Sequence, residues 1–307
     1  MQQLTRSFNV PATIRCPHCN ERFPITESLT IHNLRGATIT CSNCHGPLNW
    51  WEVNRNEITE NFMLNQAFAP IGARTTVFQL TLSAGRQLAY RFDQYGIPAD
   101  ARILYINYTP QGENGGALSP VEMHGNISTR TFRGNEVVVF PVPVGPHPPE
   151  SNEVSVMVTW MPSSENDAGW LALVSAFEAY VAEKYDAAII PANVAVESAL
   201  SRFMSSYLVN HKVSKSRADE FLVSAATYSH QLNVLLPLVT SLSGLPVLSD
   251  QIRGALNLLR DLRNQIAHHG ATKKPLTKQV VAEVLTASLF GLRYVQLLEH
   301  EATLNAR

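Results

Sequence analysis

All four cysteines of the chain fall within its first 44 residues, in two pairs, Cys16-Pro-His-Cys19 and Cys41-Ser-Asn-Cys44, with 21 residues between the pairs. No other feature constrains the fold as tightly. Two thiolates on one tight turn grip one tetrahedral ion, and a second such turn completes four ligands. Pro17 and Gly46 suit these turns, and the spacer allows a hairpin between them. The pattern predicts a zinc ribbon over residues 1–60 with Cys16, Cys19, Cys41 and Cys44 as ligands, in preference to paired disulfides. Four thiolates leave no open position, so the zinc is expected to be structural, with His18 and His45 not needed as ligands. It would staple a segment too small to hold a core of its own. The sharper alternative is a recognition head displaying Arg15, Arg22, Arg35 and the pair Trp50-Trp51. With five basic and five acidic residues in 1–60, such a head would suit a protein better than a nucleic acid. The two tryptophans read first as packing.

From Thr75 to Met161 the apolar residues alternate. Thr75–Leu82, Gln87–Asp93, Ala101–Tyr108, Glu136–Phe140 and Glu153–Trp160 each show period two, separated by Gly-, Pro- and Asn-rich turns. Short strands of this kind predict a β-sandwich over residues 70–162. Gln111–Gly116 and Gly145–Glu150 read as loops within it, and His124 and His147 as surface residues. The segment contains no nucleophile motif, phosphate loop or metal cluster.

After the polar break Pro162–Gly169 the period becomes helical. The pattern predicts helices near 170–186, 191–210, 214–241, 250–269 and 276–303. Pro191 suits a first-turn position, and Ser214 and Ser249 or Asp250 suit N-caps. Val281, Val284, Leu285, Ser288 and Leu292 form a core stripe on the last helix. Glu197 sits in the apolar stretch Val194–Leu200 and needs a partner if buried; Glu178 reads as solvated.

One helix end carries chemistry. Arg260-Asp-Leu-Arg263-Asn264-Gln-Ile-Ala-His268-His269, closed by Gly270, places an arginine, an amide and a histidine together. A histidine can take the proton of a ribose 2′-hydroxyl, and an arginine can hold the charge that builds on a phosphate. Plain C-capping explains the same residues: Gly suits C′ and positive side chains suit a last turn. Arg263-Asn264-x-x-x-His268 resembles the R-x4-6-H motif of HEPN-domain ribonucleases, and the resemblance covers roughly residues 170–305. It implies an all-α bundle over 169–307 that dimerises, with a composite active site and metal-independent cleavage of RNA. Arg263 and His268 would be catalytic and Asn264 would orient them. Arg263 and His268 lie about 140° apart round a regular helix, so they converge only if the helix end unwinds or a second protomer contributes.

The expected whole is a multidomain α+β chain: zinc ribbon, β-sandwich, HEPN-like bundle. This layout is similar to anti-phage zinc-finger ribonucleases, some of them activated by a ring-shaped phage protein. The resemblance implies an abortive-infection effector held inactive until its front half senses a phage-encoded trigger. Two alternatives stay open: a non-catalytic dimerisation and interaction protein, and a zinc-ribbon regulator of transcription. The net charge of −1 gives no broad basic footprint. Residues 170–307 carry 13 Lys/Arg against 11 Asp/Glu, with clusters at Lys212, Lys215 and Arg217 and at Lys273, Lys274 and Lys278 that can steer RNA or serve as a solvated face. The start Met-Gln-Gln-Leu-Thr-Arg lacks an apolar segment, and no run of 18 apolar residues occurs, so neither a signal peptide nor a membrane span is expected. Together with the paired cysteines this places the chain in the cytoplasm.

Overall fold

The computed structural model describes residues 7–60, 67–112, 115–122, 136–162 and 167–305. His124, the first six residues and most of the polar break before Gly169 lie outside them. Strand β1 (Phe8–Asn9) comes first. The ribbon follows: β2 (Thr13–Arg15), β3 (Arg22–Pro24), α1 (Glu27–Leu34), β4 (Ile39–Thr40), β5 (Pro47–Leu48) and α2 (Trp50–Glu60). Then come β6 (Arg74–Ser83), β7 (Leu88–Arg91), β8 (Arg102–Pro110), β9 (Ala117–Glu122), β10 (Glu136–Val144) and β11 (Ser151–Met161). Helices α3 (Asp167–Val181), α4 (Tyr185–Asn210) and α5 (Lys215–Ser224) lead into a composite helix α6. It starts at Tyr228–His230, passes through a π-helical turn Gln231–Leu235 and continues as Leu236–Ser243. Helices α7 (Asp250–His269) and α8 (Lys278–Asn305) complete the chain.

The chain divides into two compact units rather than three. Met1–Ala12 joins Gly72–Ser164, and Thr13–Ile71 joins Glu165–Arg307. The expected boundary between ribbon and helical bundle is therefore absent. The reason is area: a ribbon this small cannot cover its own apolar residues. Trp51, 3 % exposed, meets Phe290 of α8 edge-on at 5.7 Å. Phe68 packs on Phe177 of α3, and Tyr180 Oη donates to the Ile58 carbonyl at 3.0 Å. Arg35 pairs with Glu301 at 2.7 Å, and Arg293 with Glu27. Arg35 is thus tied to α8 though its side chain stays nearly half exposed, and both tryptophans are packing residues.

The first unit is a sandwich of two antiparallel sheets, ordered β1-β6-β11-β8 and β7-β10-β9. Phe78, Leu80 and Leu82 of β6 and Val154, Val156 and Val158 of β11 meet Tyr90, Leu118, Val137 and Val139 of the other sheet in one core. Two strands escape the alternation rule. β1 is only two residues long, and β9 contains Pro120, which a ladder tolerates at a sheet edge, where β9 lies. Pro141 and Pro143 of β10 lie beyond Val139, where β7 has ended and β10 pairs with β9 alone. Gly145 and Gly116 are forced by close approach: a Cβ on either would meet the Gly115 or His147 carbonyl oxygen at 2.0 or 2.2 Å.

Two helix boundaries differ from expectation. α4 begins at Tyr185, leaving Pro191 inside the helix instead of at its start. The single helix expected over 214–241 is broken at Ala225–Thr227, where no glycine or proline marks it. The buried Gln231 explains the break, because its side-chain amide caps the Ala226 carbonyl at 2.8 Å. The π turn follows, with the Leu236 N–H bonded to the Gln231 carbonyl five residues back. Pro237, next in line, has no N–H with which to restore the α register. The stripe on α8 is core, with Val281, Val284, Leu285, Ser288 and Leu292 all at most 1 % exposed. Among the described residues one helix, Lys278–Thr303, is long and apolar enough to cross a membrane, but 78 % of its most apolar window is buried inside the unit, as in a core helix.

Replacing Trp51→Ala should remove about 3–5 kcal/mol of stability, as large-to-small core changes do. Urea denaturation followed by the helical circular-dichroism signal checks this. A loss under about 1 kcal/mol would show that the helices stand without the ribbon.

Candidate functional site

The two cysteine turns are built alike. The Cys16 N–H donates to the Glu21 carbonyl and the Asn20 N–H to the Cys16 carbonyl; Cys41 with Gly46, and His45 with Cys41, repeat the pattern at 3.0 Å. Asn20 and His45 take the left-handed conformation, at φ 65° and 59°. Gly46 is required for space rather than for φ, since a Cβ there would lie 2.9 Å from the His18 ring. His18 Nε2 in turn donates to the Pro47 carbonyl at 2.8 Å, so it ties the two turns together.

The four sulfurs lie within 4.8 Å of one another, with Cys16–Cys44 at 3.8 Å and Cys19–Cys41 at 3.9 Å. A tetrahedral ion with metal–sulfur bonds of about 2.3 Å holds its ligands about 3.8 Å apart. The N–H groups of His18 and Asn43 point at the Cys16 and Cys41 sulfurs, each at 3.4 Å, and favour thiolates. Burial pushes the Cys16 thiol up, but hydrogen bonds from Cys19 and His18 backbone and from neighbouring thiols outweigh it and bring it down to about 7. Cys19 moves the other way, to about 12: the Glu21 backbone bond lowers it, and burial and the crowded sulfurs raise it. Sulfurs this close cannot all lose their protons unless a cation offsets the charge. The donor set therefore fits a metal ion with four thiolate ligands and no open position.

The second candidate site lies in the helical part of the same unit. α7 starts cleanly, with the Ser249 hydroxyl accepting the Ile252 N–H at 3.4 Å, and ends at Gly270 in the left-handed conformation. Its apolar stripe Ile252, Ala255, Leu256, Leu259 and Leu262 is buried. That orientation turns Arg260, Arg263 and Asn264 toward a cavity of about 450 Å³. Asn193 and Glu197 of α4 and Thr227, Tyr228 and Ser229 at the start of α6 form the remaining walls, with Asp261 at the rim.

The polar contacts in this cavity are unevenly satisfied. Arg260 is engaged with Ser229 Oγ and with Asp261 at 2.8 Å. Arg263 donates to Asn264 Oδ1 at 3.0 Å. Asn193 Nδ2 donates to Glu197 Oε2 at 2.6 Å, which leaves Asn193 Oδ1 as the free end of the amide. Asn193 is 1 % exposed and Tyr228 6 %, yet neither Asn193 Oδ1 nor the Tyr228 hydroxyl has a partner. Burial, then the Glu197 charge, keeps the Tyr228 phenol protonated well above its usual range, against a smaller opposite pull from Arg260.

The structure thus brings Arg263 and Asn264 into one cavity with Glu197, but not His268. α7 stays helical through His269, and His268 is exposed outside the cavity walls. Within one chain the helix end does not unwind to join Arg263 and His268. Glu178 takes no part in the cavity. Sequence reasoning missed Asn193 and Tyr228. Asn193 and Glu197, four apart in an apolar stretch, offered a signal; Tyr228, just past an unmarked helix break, offered none. No known protein family, curated protein or solved structure matches the chain.

Two measurements follow. The purified chain should carry one tightly held metal ion, and Cys16→Ser or Cys41→Ser should release it and lower the unfolding midpoint of the helices. Native mass spectrometry and thermal unfolding read both, and a metal-free chain of unchanged midpoint would exclude the site. Tyr228→Phe should leave stability unchanged or raise it by about 1 kcal/mol, because it deletes a buried hydroxyl that has no partner. A clear loss in urea denaturation would show that the hydroxyl is bonded.

Proposed function

We propose that the chain is a metal-independent endoribonuclease of the HEPN type, acting as an effector of anti-phage defence. The observation that carries this reading is the pairing of Arg263 and Asn264 at the wall of a polar cavity, on a helix whose exposed last turn presents His268. In the proposed reaction His268 takes the proton of a ribose 2′-hydroxyl. The freed oxygen attacks the adjacent phosphorus, the bond to the 5′-oxygen of the next nucleotide breaks, that oxygen takes a proton from water, and His268 returns its own proton to solvent. The products are a cyclic-phosphate end and a 5′-hydroxyl end. Arg263 holds the charge that develops on the phosphate oxygens, and Asn264 positions its guanidinium.

The regular course of α7 supports a dimeric site. Five residues of helix separate Arg263 and His268 by about 140°, so the histidine of one protomer would meet the arginine of its partner across a homodimer. Higher oligomers are compatible with this arrangement. In this reading the metal at the four cysteines is zinc and structural, and the chain works in the cytoplasm. A phage-encoded protein, ring-shaped if the likeness to zinc-finger ribonucleases extends that far, would be the trigger. Because the ribbon shares a core with the helices, a partner bound at the ribbon would act on the effector directly through α8. The second reading, a non-catalytic interaction protein, draws on the position of His268 outside the cavity.

RNA-end mapping in phage-infected and uninfected cells separates the two. Wild type should generate cyclic-phosphate ends and protect against phage, and His268→Ala or Arg263→Ala should abolish both, with rates down by about a hundredfold or more. Protection that survives both substitutions would favour the interaction protein.

A further inference from the structure

One charged patch lies outside the cavity and beside His268. From Leu262 to Ala282 the chain carries Arg263, His268, His269, Lys273, Lys274 and Lys278 and no carboxylate, in a protein of net charge −1. The three lysines sit on the connection between α7 and α8 and on the first residue of α8. This connection is pinned. Gly270, left-handed, reverses the chain, and the Lys273 N–H donates to Gln265 Oε1 at 2.9 Å. Gln265, His268 and His269 share one face of α7, being three and four residues apart. The connection therefore folds back over the face that carries the histidines. The Thr272 hydroxyl then donates to the Lys274 carbonyl at 2.7 Å. At the far end the Thr277 hydroxyl accepts the Val280 N–H at 3.3 Å, and Lys278 stands where the partial positive charge of the α8 terminus adds to its own.

These cations are accessible and uncommitted. The side chains of His268, His269, Lys273, Lys274 and Lys278 are all exposed. Among the described residues Arg35 and Arg253 pair with carboxylates, and none of the three lysines does. Asp186, at the start of α4, touches the connection at the Thr272 hydroxyl, 3.5 Å away.

We propose that this connection is an RNA track: Lys273, Lys274 and Lys278 bind the phosphates of single-stranded RNA that flank the bond cut at His268. This rests on the RNA-cleaving reading above. Charges spread along a connection suit a chain of phosphates better than one small anion. Lysine is a compact charge that binds phosphate oxygens and carries no sequence information, so the track grips any sequence and fixes register only. Pinning the backbone lowers the ordering cost of binding. A single strand is the fitting form, because attack by the 2′-hydroxyl in line with the leaving oxygen needs a backbone free to rotate. The patch also gives a chain with no broad basic footprint a local hold on RNA where the chemistry would occur.

The experiment uses the full-length chain and a mixed-sequence single-stranded RNA with every 2′-hydroxyl methylated, which removes the nucleophile. Fluorescence anisotropy at several salt concentrations reads affinity and its salt slope. Wild type should bind, more weakly as salt rises. Lys273→Gln with Lys274→Gln should weaken binding severalfold and reduce the slope by about 1.4, or about 0.7 per phosphate contact on a single strand. Lys212→Gln with Lys215→Gln makes the same charge change between α4 and α5 and should leave both unchanged. The helical circular-dichroism signal should be that of wild type in both variants. No binding by the folded chain, equal loss from both lysine pairs, or a slope indifferent to Lys273 and Lys274 would overturn the proposal. So would displacement of the RNA by polyglutamate as readily as by unlabelled RNA, which would assign the patch to an acidic protein. His268-dependent cleavage in cells with no contribution from these lysines would sink the track and leave the nuclease standing. Lysine-dependent RNA binding without any His268-dependent cleavage would do the reverse.

Discussion

Everything in the second unit depends on burying α8. The helix is apolar on nearly every face, and 78 % of its most apolar window is covered. Such a helix has to be wrapped. α4 and α7 close on it so tightly that a Cβ at Gly291 would lie 3.2 Å from both Val196 and Leu256. The ribbon covers another side through Trp51, Arg35 and Glu27. The ribbon that carries the cysteine turns is packed on this helix, and the cavity forms where α4, α6 and α7 meet. Neither site belongs to an independent module.

This shared core changes the meaning of the metal. In a free-standing ribbon a structural ion stabilises only the ribbon. Here an ion at the four cysteines would hold the two turns from which α1 and α2 proceed, and α2 supplies Trp51 to the α8 surface. Its loss would therefore reach the helices that carry Arg263.

Much of the fold was legible because hydrophobic period and turn chemistry agreed. α7 was readable to the residue, since Ser249 and Gly270 mark its ends and its stripe is strict. β6, β8 and β11 followed from alternation. β9 did not, because Pro120 reads as a breaker unless the strand is known to lie at an edge. The break before Tyr228 was invisible because a side chain, Gln231, makes it by taking over the Ala226 carbonyl. The cavity was half legible for the same reason: Arg263, Asn264 and Glu197 announce themselves by type and spacing, whereas Tyr228 reaches the site only through that break.

By itself the sequence determined which four cysteines come together as a set able to hold a metal ion, because two C-x2-C turns bring their sulfurs together by local geometry. It also determined the helical class of nearly the last half of the chain and the bounds of Asp250–His269, since caps and stripe are local properties. Tertiary structure alone decided that the ribbon is part of the helical unit, which depends on apolar area summed over distant segments. It alone decided that Arg263 faces Asn193, Glu197 and Tyr228 while His268 faces outward, because the direction of a helical side chain in space is set by which stripe of its helix the core claims.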